Sequence, residues 1–261
     1  MVLTRLPAVA GVFYPANPEI LRDTLASLMD AVQNTIKVPK AIIVPHAGYI
    51  YSGKIAASAY ARLKAGAAHI RRVVIIAPSH HFYFEGLAVP HAHFFNTPLG
   101  DIPLDTVVIQ NLLTLPFIVC SDEAHRLEHS VEVQLPFLQM VLKNFKLIPI
   151  VTGDASAEQV AQVLELFYED TDTLIVISSD LSHYHNYKTA QQLDLETTKK
   201  IEQLKYEQLD YESACGQVAV SGLLALAKKK VCKVKNIDLR NSGDTAGDKQ
   251  RVVGYGAYVI D

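Results

Sequence analysis

Short runs of β-branched and aliphatic residues, rather than long amphipathic stretches, dominate the apolar pattern of this chain. Residues 41–45 and 73–77 are too short for helices and too uniformly apolar for half-exposed strands. They predict interior strands covered on both faces. Between them, Lys54 to Leu63 reads as a crossover helix, completing a βαβ unit. Further strands are expected near 86–90, 117–119, 146–151, 174–178, 234–239 and 252–260. Helices are expected over 103–113, 129–143, 156–169, 189–205 and 211–229. The stretch NPEILRDTLASLMDAVQ opens with Asn17 as a cap, Pro18 at the first helical position and Glu19 where the helix dipole favours an acid. Its Ile20, Leu21, Leu25, Leu28 and Val32 share one face. Ser156 and Gln159 have capping-box spacing. Pro136, inside the 129–143 helix, demands a kink or a break. In VVGYGAYVI, Gly254 and Gly256 flank Tyr255, which points to close packing in the last strand. The expected architecture is a single α/β domain spanning 1–261. It has three layers: a mostly parallel or mixed central sheet, with helices on both faces.

Composition narrows the function. Across 261 residues, 49% are hydrophobic and the net charge is −3. That supports a large core and argues against nucleic acid as a partner. The longest basic run, Lys228 to Lys230, reads as a solvated helix end. Cys120, Cys215 and Cys232 are widely spaced and form neither a disulfide framework nor a CxxC motif, so a reducing compartment is expected. Arg5, Pro7 and Gly11 interrupt the N-terminus before a signal-like apolar core can form. No stretch reaches the roughly 18 apolar residues of a spanning helix. The expectation is a cytoplasmic protein with no membrane partner.

Three of the expected strands end in chemistry. His46 follows the strand at 41–45, His80 and His81 follow 73–77, and Asp180 and His183 follow 174–178. In open α/β sheets ligands collect beyond the carboxyl ends of the strands. Parallel neighbours would bring these side chains into one region, and imidazoles with a carboxylate suit a divalent first-row metal. Each residue alone is better read as a hydrogen-bonded loop residue than as a ligand; the recurrence on three strands is what points to a centre. In AHRLEHSVEVQLPFL, Glu128, His129 and Glu132 lie near a helix start. They read either as proton-transfer and orienting groups or as ordinary acids at a helix N-terminus. The loop NSGDTAGD could add Asp244 as a fourth arm. Tyr49, Tyr51, Tyr83 and Tyr184 flank the same strand ends. His69, His91, His93 and His125 are weaker candidates.

Taken together, VPHAGYIYSG, APSHH, EHSVEVQLPFL, SSDLSHY and the terminal SGD…VVGYGAY resemble the Memo family, whose prokaryotic members are often labelled AmmeMemoRadiSam system protein B. The resemblance runs in register from about Ala8 to Val259. It implies a fold like that of the LigB-like class III extradiol dioxygenases, which hold Fe(II) with two histidines and a carboxylate and use a further histidine for proton transfer. By position, His46 and His80 match the two ligands and His183 the acid/base, with Asp180 in the same motif. Eukaryotic members carry a cysteine in the last loop. Here the SGD alignment puts Asp244 near that place, with Asp248 in reserve, and none of the three cysteines. That argues against thiolate-dependent copper chemistry.

The expected centre is therefore His46, His80 and Asp244 around Fe(II), with zinc or copper as alternatives. His183, Asp180, Glu128 and His129 would handle protons, and His81, Tyr49, Tyr51, Glu132 and Tyr184 would line a pocket. The expected function is that of a non-haem iron, dioxygenase-like oxidoreductase. One alternative is a binding module that uses the crevice for a peptide or small molecule; another is a zinc hydrolase. The family label implies a radical-SAM partner. The phosphotyrosine-peptide adaptor role described for eukaryotic members finds no support in these residues.

Overall fold

The computed structural model describes residues 2–30 and 38–261. The strands are β1 (Thr4–Arg5), β2 (Ala41–Val44), β3 (Arg72–Pro78), β4 (Leu87–Val89), β5 (Phe94–Thr97), β6 (Gly100–Pro103), β7 (Ile118–Cys120), β8 (Lys146–Thr152), β9 (Thr173–Ser178), β10 (His183–His185), β11 (Val234–Asn241) and β12 (Val252–Ile260). The helices are α1 (Pro18–Asp30), α2 (Tyr49–Tyr60), α3 (Thr106–Leu112), α4 (Asp122–Arg126), α5 (Leu135–Val141), α6 (Ala157–Tyr168), α7 (Tyr187–Glu202) and α8 (Gln217–Lys229). The part of the first helix expected beyond Asp30, with Val32, lies outside the described residues.

The main sheet runs β10-β12-β2-β9-β3-β8-β4-β7, with β11 also paired to β12. Its centre, β2-β9-β3-β8, is parallel. β12 joins β2 antiparallel, and β4 joins β8 antiparallel, so the sheet is mixed. β2 and β9 are buried along their whole length, as uniformly apolar interior strands must be. On one face, α1, α2 and α5 pack together. On the other, α6 and α8 pair and cover β3 and β9, while α7 lies over β11 and β12. A separate small sheet, β1-β5-β6, ties the N-terminus to the middle of the chain. Among the described residues no helix is long and apolar enough to cross a membrane.

Three departures from the sequence reading have local causes. The helix expected over 129–143 is a short 3-10 turn at Glu132–Gln134 followed by α5, with Pro136 in the first helical turn, where its missing N–H costs nothing. The helix expected from 54 begins at Tyr49, directly after the turn that carries His46. The helix expected from 211 begins only at Gln217. A Cβ on Gly216 would stand 2.8 Å from the Ser178 carbonyl oxygen, so this glycine seats the chain against the end of β9 and holds 211–216 out of the helix. Close packing at the last strand is as expected. A Cβ on Gly254 would stand 2.1 Å from the Asp194 carboxylate, and one on Gly256 would stand 2.6 Å from the Tyr258 ring.

Candidate metal centre

The carboxyl ends of β2, β3 and β9 lie side by side because the three strands are in register, with Val44 opposite Ser178 and Ile76 opposite Ile177. One residue past Pro45, the His46 N–H donates to Asp180 Oδ1 at 2.8 Å, which ties the first turn to the third. His46 Nδ1 lies 2.9 Å from Ser178 Oγ. The His80 ring stands 5.2 Å from that of His46, centroid to centroid, and its Nδ1 is 2.9 Å from Glu128 Oε1. Glu128 also accepts the backbone N–H groups of His80 and Ser130. From the loop ahead of α8, Cys215 brings Sγ to 3.3 Å from His46 Nε2. One donor atom from each of His46, His80 and Cys215 lies within 4.8 Å of the others, and a second group, His80, Glu128 and His129, meets the same criterion. Two imidazole nitrogens and a thiol sulfur are ordinary donors for zinc, copper and iron. Bonds of about 2.0–2.3 Å put the donors of a tetrahedral ion roughly 3.5 Å apart, so the set fits such an ion.

Burial sets the electrostatics. It pushes the Cys215 thiol up to about 12, with Asp180 adding to the effect, and holds His46 well below the ordinary imidazole range, with His80 and His129 pushing the same way. A bound cation would oppose the Cys215 shift, since it favours thiolate, and would act in the same direction as the His46 shift, since it favours neutral imidazole. Burial alone would raise Glu128, but its bonds to His80 and Ser130 hold it well below the usual carboxylate range. His80 is raised in turn, because Glu128 outweighs desolvation. Desolvation lowers His129 to about 4 and also lowers His183. Asp180 is pushed up to about 7 by burial, against the N–H groups of His46 and Ala47.

These groups face a crevice of about 960 Å³. His46, His80, His129, Asp180, His183 and Cys215 line its floor. Phe13, Tyr51, Tyr184 and Tyr255 form much of the wall, and Phe13 packs on His129 at 4.8 Å. Tyr184 holds a left-handed backbone with φ 62°, and the Arg251 guanidinium lies 5.1 Å above its ring.

Of the residues singled out from sequence, the structure brings His46, His80, His129, Asp180, His183, Tyr51 and Tyr184 to this crevice, with Glu128 directly behind two of the histidines. It does not bring Asp244 there. That carboxylate accepts Asn241 N–H at 2.9 Å and the Tyr187 hydroxyl, closing a capping box beside a separate cavity of about 300 Å³. Asp248 reaches the crevice wall, but its Oδ1 accepts the N–H groups of Gln250 and Arg251. Cys215, which the loop alignment had set aside, stands where a third donor was sought. Tyr49 is buried, its hydroxyl donating to Val133 O at 2.7 Å. Glu132 is fully buried against Arg5, Ala8, Val9 and Tyr14. His81 points outward, 6.1 Å from the His129 ring. Gly216 offered only a partial sequence signal for Cys215, since a glycine lowers helix propensity without forcing a break, and Gly222 lies inside α8.

Comparison with known proteins is consistent along the whole chain. A family model described as Memo-like protein matches residues 5–259. A MEMO1 family protein of Aquifex aeolicus is 37% identical over 263 aligned residues, covering 96% of this chain and 97% of that protein. One from Sulfolobus acidocaldarius is 36% identical, with 97% and 98% covered. Among solved structures, the uncharacterized protein JW3007 from Escherichia coli K12 superposes with a TM-score of 0.56 over 85% of this chain and 99% of that one. At 12% identity, that likeness concerns the fold alone.

Proposed function

Given that the chain belongs to the Memo-like protein family, we propose that it is a metal-dependent oxidoreductase whose centre is held by His46, His80 and Cys215. The observation that carries this reading is the convergence of the two imidazoles and the thiol at the floor of an open crevice. The donor set replaces the expected carboxylate with sulfur and so favours metals that accept thiolate: iron, copper or zinc. Iron or copper bound there would supply one-electron chemistry and a positive charge facing the crevice.

The protein's own part is positioning and proton handling. Glu128 orients His80 and stands beside His129. His183, held neutral by burial, takes a proton from a substrate group bound between the floor and the tyrosine wall. Asp180 braces the His46 turn through its backbone N–H. The occupant of the crevice is a small molecule or a peptide end. None of the three cysteines is joined in a disulfide, which suits a reducing, cytoplasmic setting, and the family label suggests a radical-SAM protein as partner.

Metal analysis of protein purified without chelators tests the centre. Wild type and Asp244→Asn should carry stoichiometric metal, whereas His46→Ala, His80→Ala and Cys215→Ser should lose it. Equal metal in every preparation removes the proposal, and loss in Asp244→Asn with retention in Cys215→Ser restores the carboxylate set. A zinc hydrolase would use the same three donors with a water. Activity with Zn(II) that is indifferent to oxygen would select that reading.

A further inference from the structure

We infer that a buried hydrogen-bond relay through Tyr60, Gln134, Ser178 and Ser130 fixes the tautomer of His46, making Gln134 and Ser178 positioning residues for the metal centre although neither lines the crevice. The inference rests on the proposed centre but reads a property of the metal-free protein.

Counting hydrogens leaves one arrangement. Gln134 Nε2 lies 2.9 Å from the Pro45 carbonyl oxygen, which can only accept, so that edge of the amide is its NH2. Its Oε1 correspondingly accepts the Tyr60 hydroxyl at 2.9 Å. The second amide hydrogen goes to Ser178 Oγ at 2.8 Å. Ser178 has a single hydroxyl hydrogen, and Ser130 O, another carbonyl, takes it at 2.7 Å. The remaining contact of Ser178 Oγ, to His46 Nδ1 at 2.9 Å, is then a bond only if that nitrogen carries the hydrogen. His46 is therefore the Nδ1–H tautomer, and the lone pair on Nε2 faces Cys215 Sγ at 3.3 Å. Exposure of the five side chains does not exceed 2%, so bulk water offers no substitute partner.

The same short segment serves the other ligand. Glu128 accepts from His80 Nδ1, and Ser130 donates its N–H to Glu128 Oε1 at 2.9 Å while its carbonyl takes the Ser178 hydrogen. Residues 128–134 thus orient both imidazoles so that each presents Nε2. In the metal-free protein the Cys215 S–H donates to His46 Nε2. A divalent ion held by His46, His80 and Cys215 would take the place of that hydrogen, with Cys215 remaining as a thiolate ligand and one proton released to solvent. The opposite tautomer would put a hydrogen on the ligating nitrogen and turn the Ser178 hydroxyl away from the Ser130 carbonyl.

The experiment combines 15N-histidine NMR of the metal-free protein with zinc affinity measured against a competing chelator. Native protein should show His46 as Nδ1–H. Ser178→Ala should populate Nε2–H and lower zinc affinity by about 10- to 100-fold, with Ser178→Thr, which keeps the hydroxyl, close to native. Native His46 found as Nε2–H overturns the inference, even if Ser178→Ala fails to fold. So does Ser178→Ala with unchanged tautomer and affinity. His46→Ala is titrated in parallel. If it binds zinc like the native protein, the centre itself is wrong; if it loses zinc while Ser178→Ala does not, only the relay is.

Discussion

Replacing Glu132 with glutamine removes one charge from a carboxylate that has no exposed surface and only donors around it. Oε2 accepts Arg5 Nη1 and the Ala8 N–H at 2.7 Å; Oε1 accepts the Val9 N–H at 3.0 Å and the Tyr14 hydroxyl at 2.5 Å. Glutamine keeps a single acceptor atom. Its NH2 must face one of these donor pairs, and Arg5, only 8% exposed, keeps its charge without a counter-charge. Removing one partner of a buried pair costs about 3–5 kcal/mol. Against a total stability of about 5–15 kcal/mol, that is a large fraction. The effect reaches the crevice, since the pinned segment carries Val12 and Phe13 and Phe13 rests on His129. Urea unfolding followed by far-UV circular dichroism reads the change. With a slope near 3 kcal/mol/M, the midpoint should fall by about 1 M or more. Arg5→Met combined with Glu132→Leu should recover part of the loss by removing both charges, though the amides of Ala8 and Val9 stay unpaired. A Glu132→Gln midpoint within about 0.3 M of wild type would refute the reasoning.

Gly254→Ala should destabilise by about 1–3 kcal/mol through overlap with the Asp194 carboxylate, and by clearly less in an Asp194→Ala background; additive losses in a double-mutant cycle would contradict that contact. Asp194 is buried beside the Ser182 N–H, and burial raises it to about 6 from an ordinary aspartate value of 3.8. The folded state therefore holds the extra proton between those values, and its stability falls as pH rises through that window. Asp194→Asn should gain on wild type across the same interval, by at most about 3 kcal/mol; a stability difference that stays flat from pH 4 to pH 7, on the order of those two values, counts against it. Tyr184→Gly should be neutral or more stable by about 1 kcal/mol, because glycine relieves the left-handed backbone; thermal melts showing a clear loss would mean that the stacking on Arg251 outweighs the strain.

Much of the fold was legible because its central strands are covered on both faces, and such strands are written as continuous aliphatic runs. The positions of His46, His80, Asp180 and His183 followed directly, since each sits just past such a run. The capping box of Ser156 and Gln159 was also readable, being made by neighbours three apart. Asn241 and Asp244 have the same spacing, and that local role holds Asp244 away from the crevice.

The sequence by itself determined which strands are interior and which side chains stand at their carboxyl ends, because both depend on local runs and on the alternation of burial. Only the tertiary structure decided the third donor and the groups that aim the imidazoles. Cys215 and His46 are 169 positions apart, and Ser178 and His46 are 132 apart. They meet because Gly216 packs on the carbonyl of Ser178 and because 128–134 threads between the ends of β2, β3 and β9. Such contacts are set by how strands order themselves in a sheet and by which backbone groups remain unpaired at its edge, and no local periodicity encodes either.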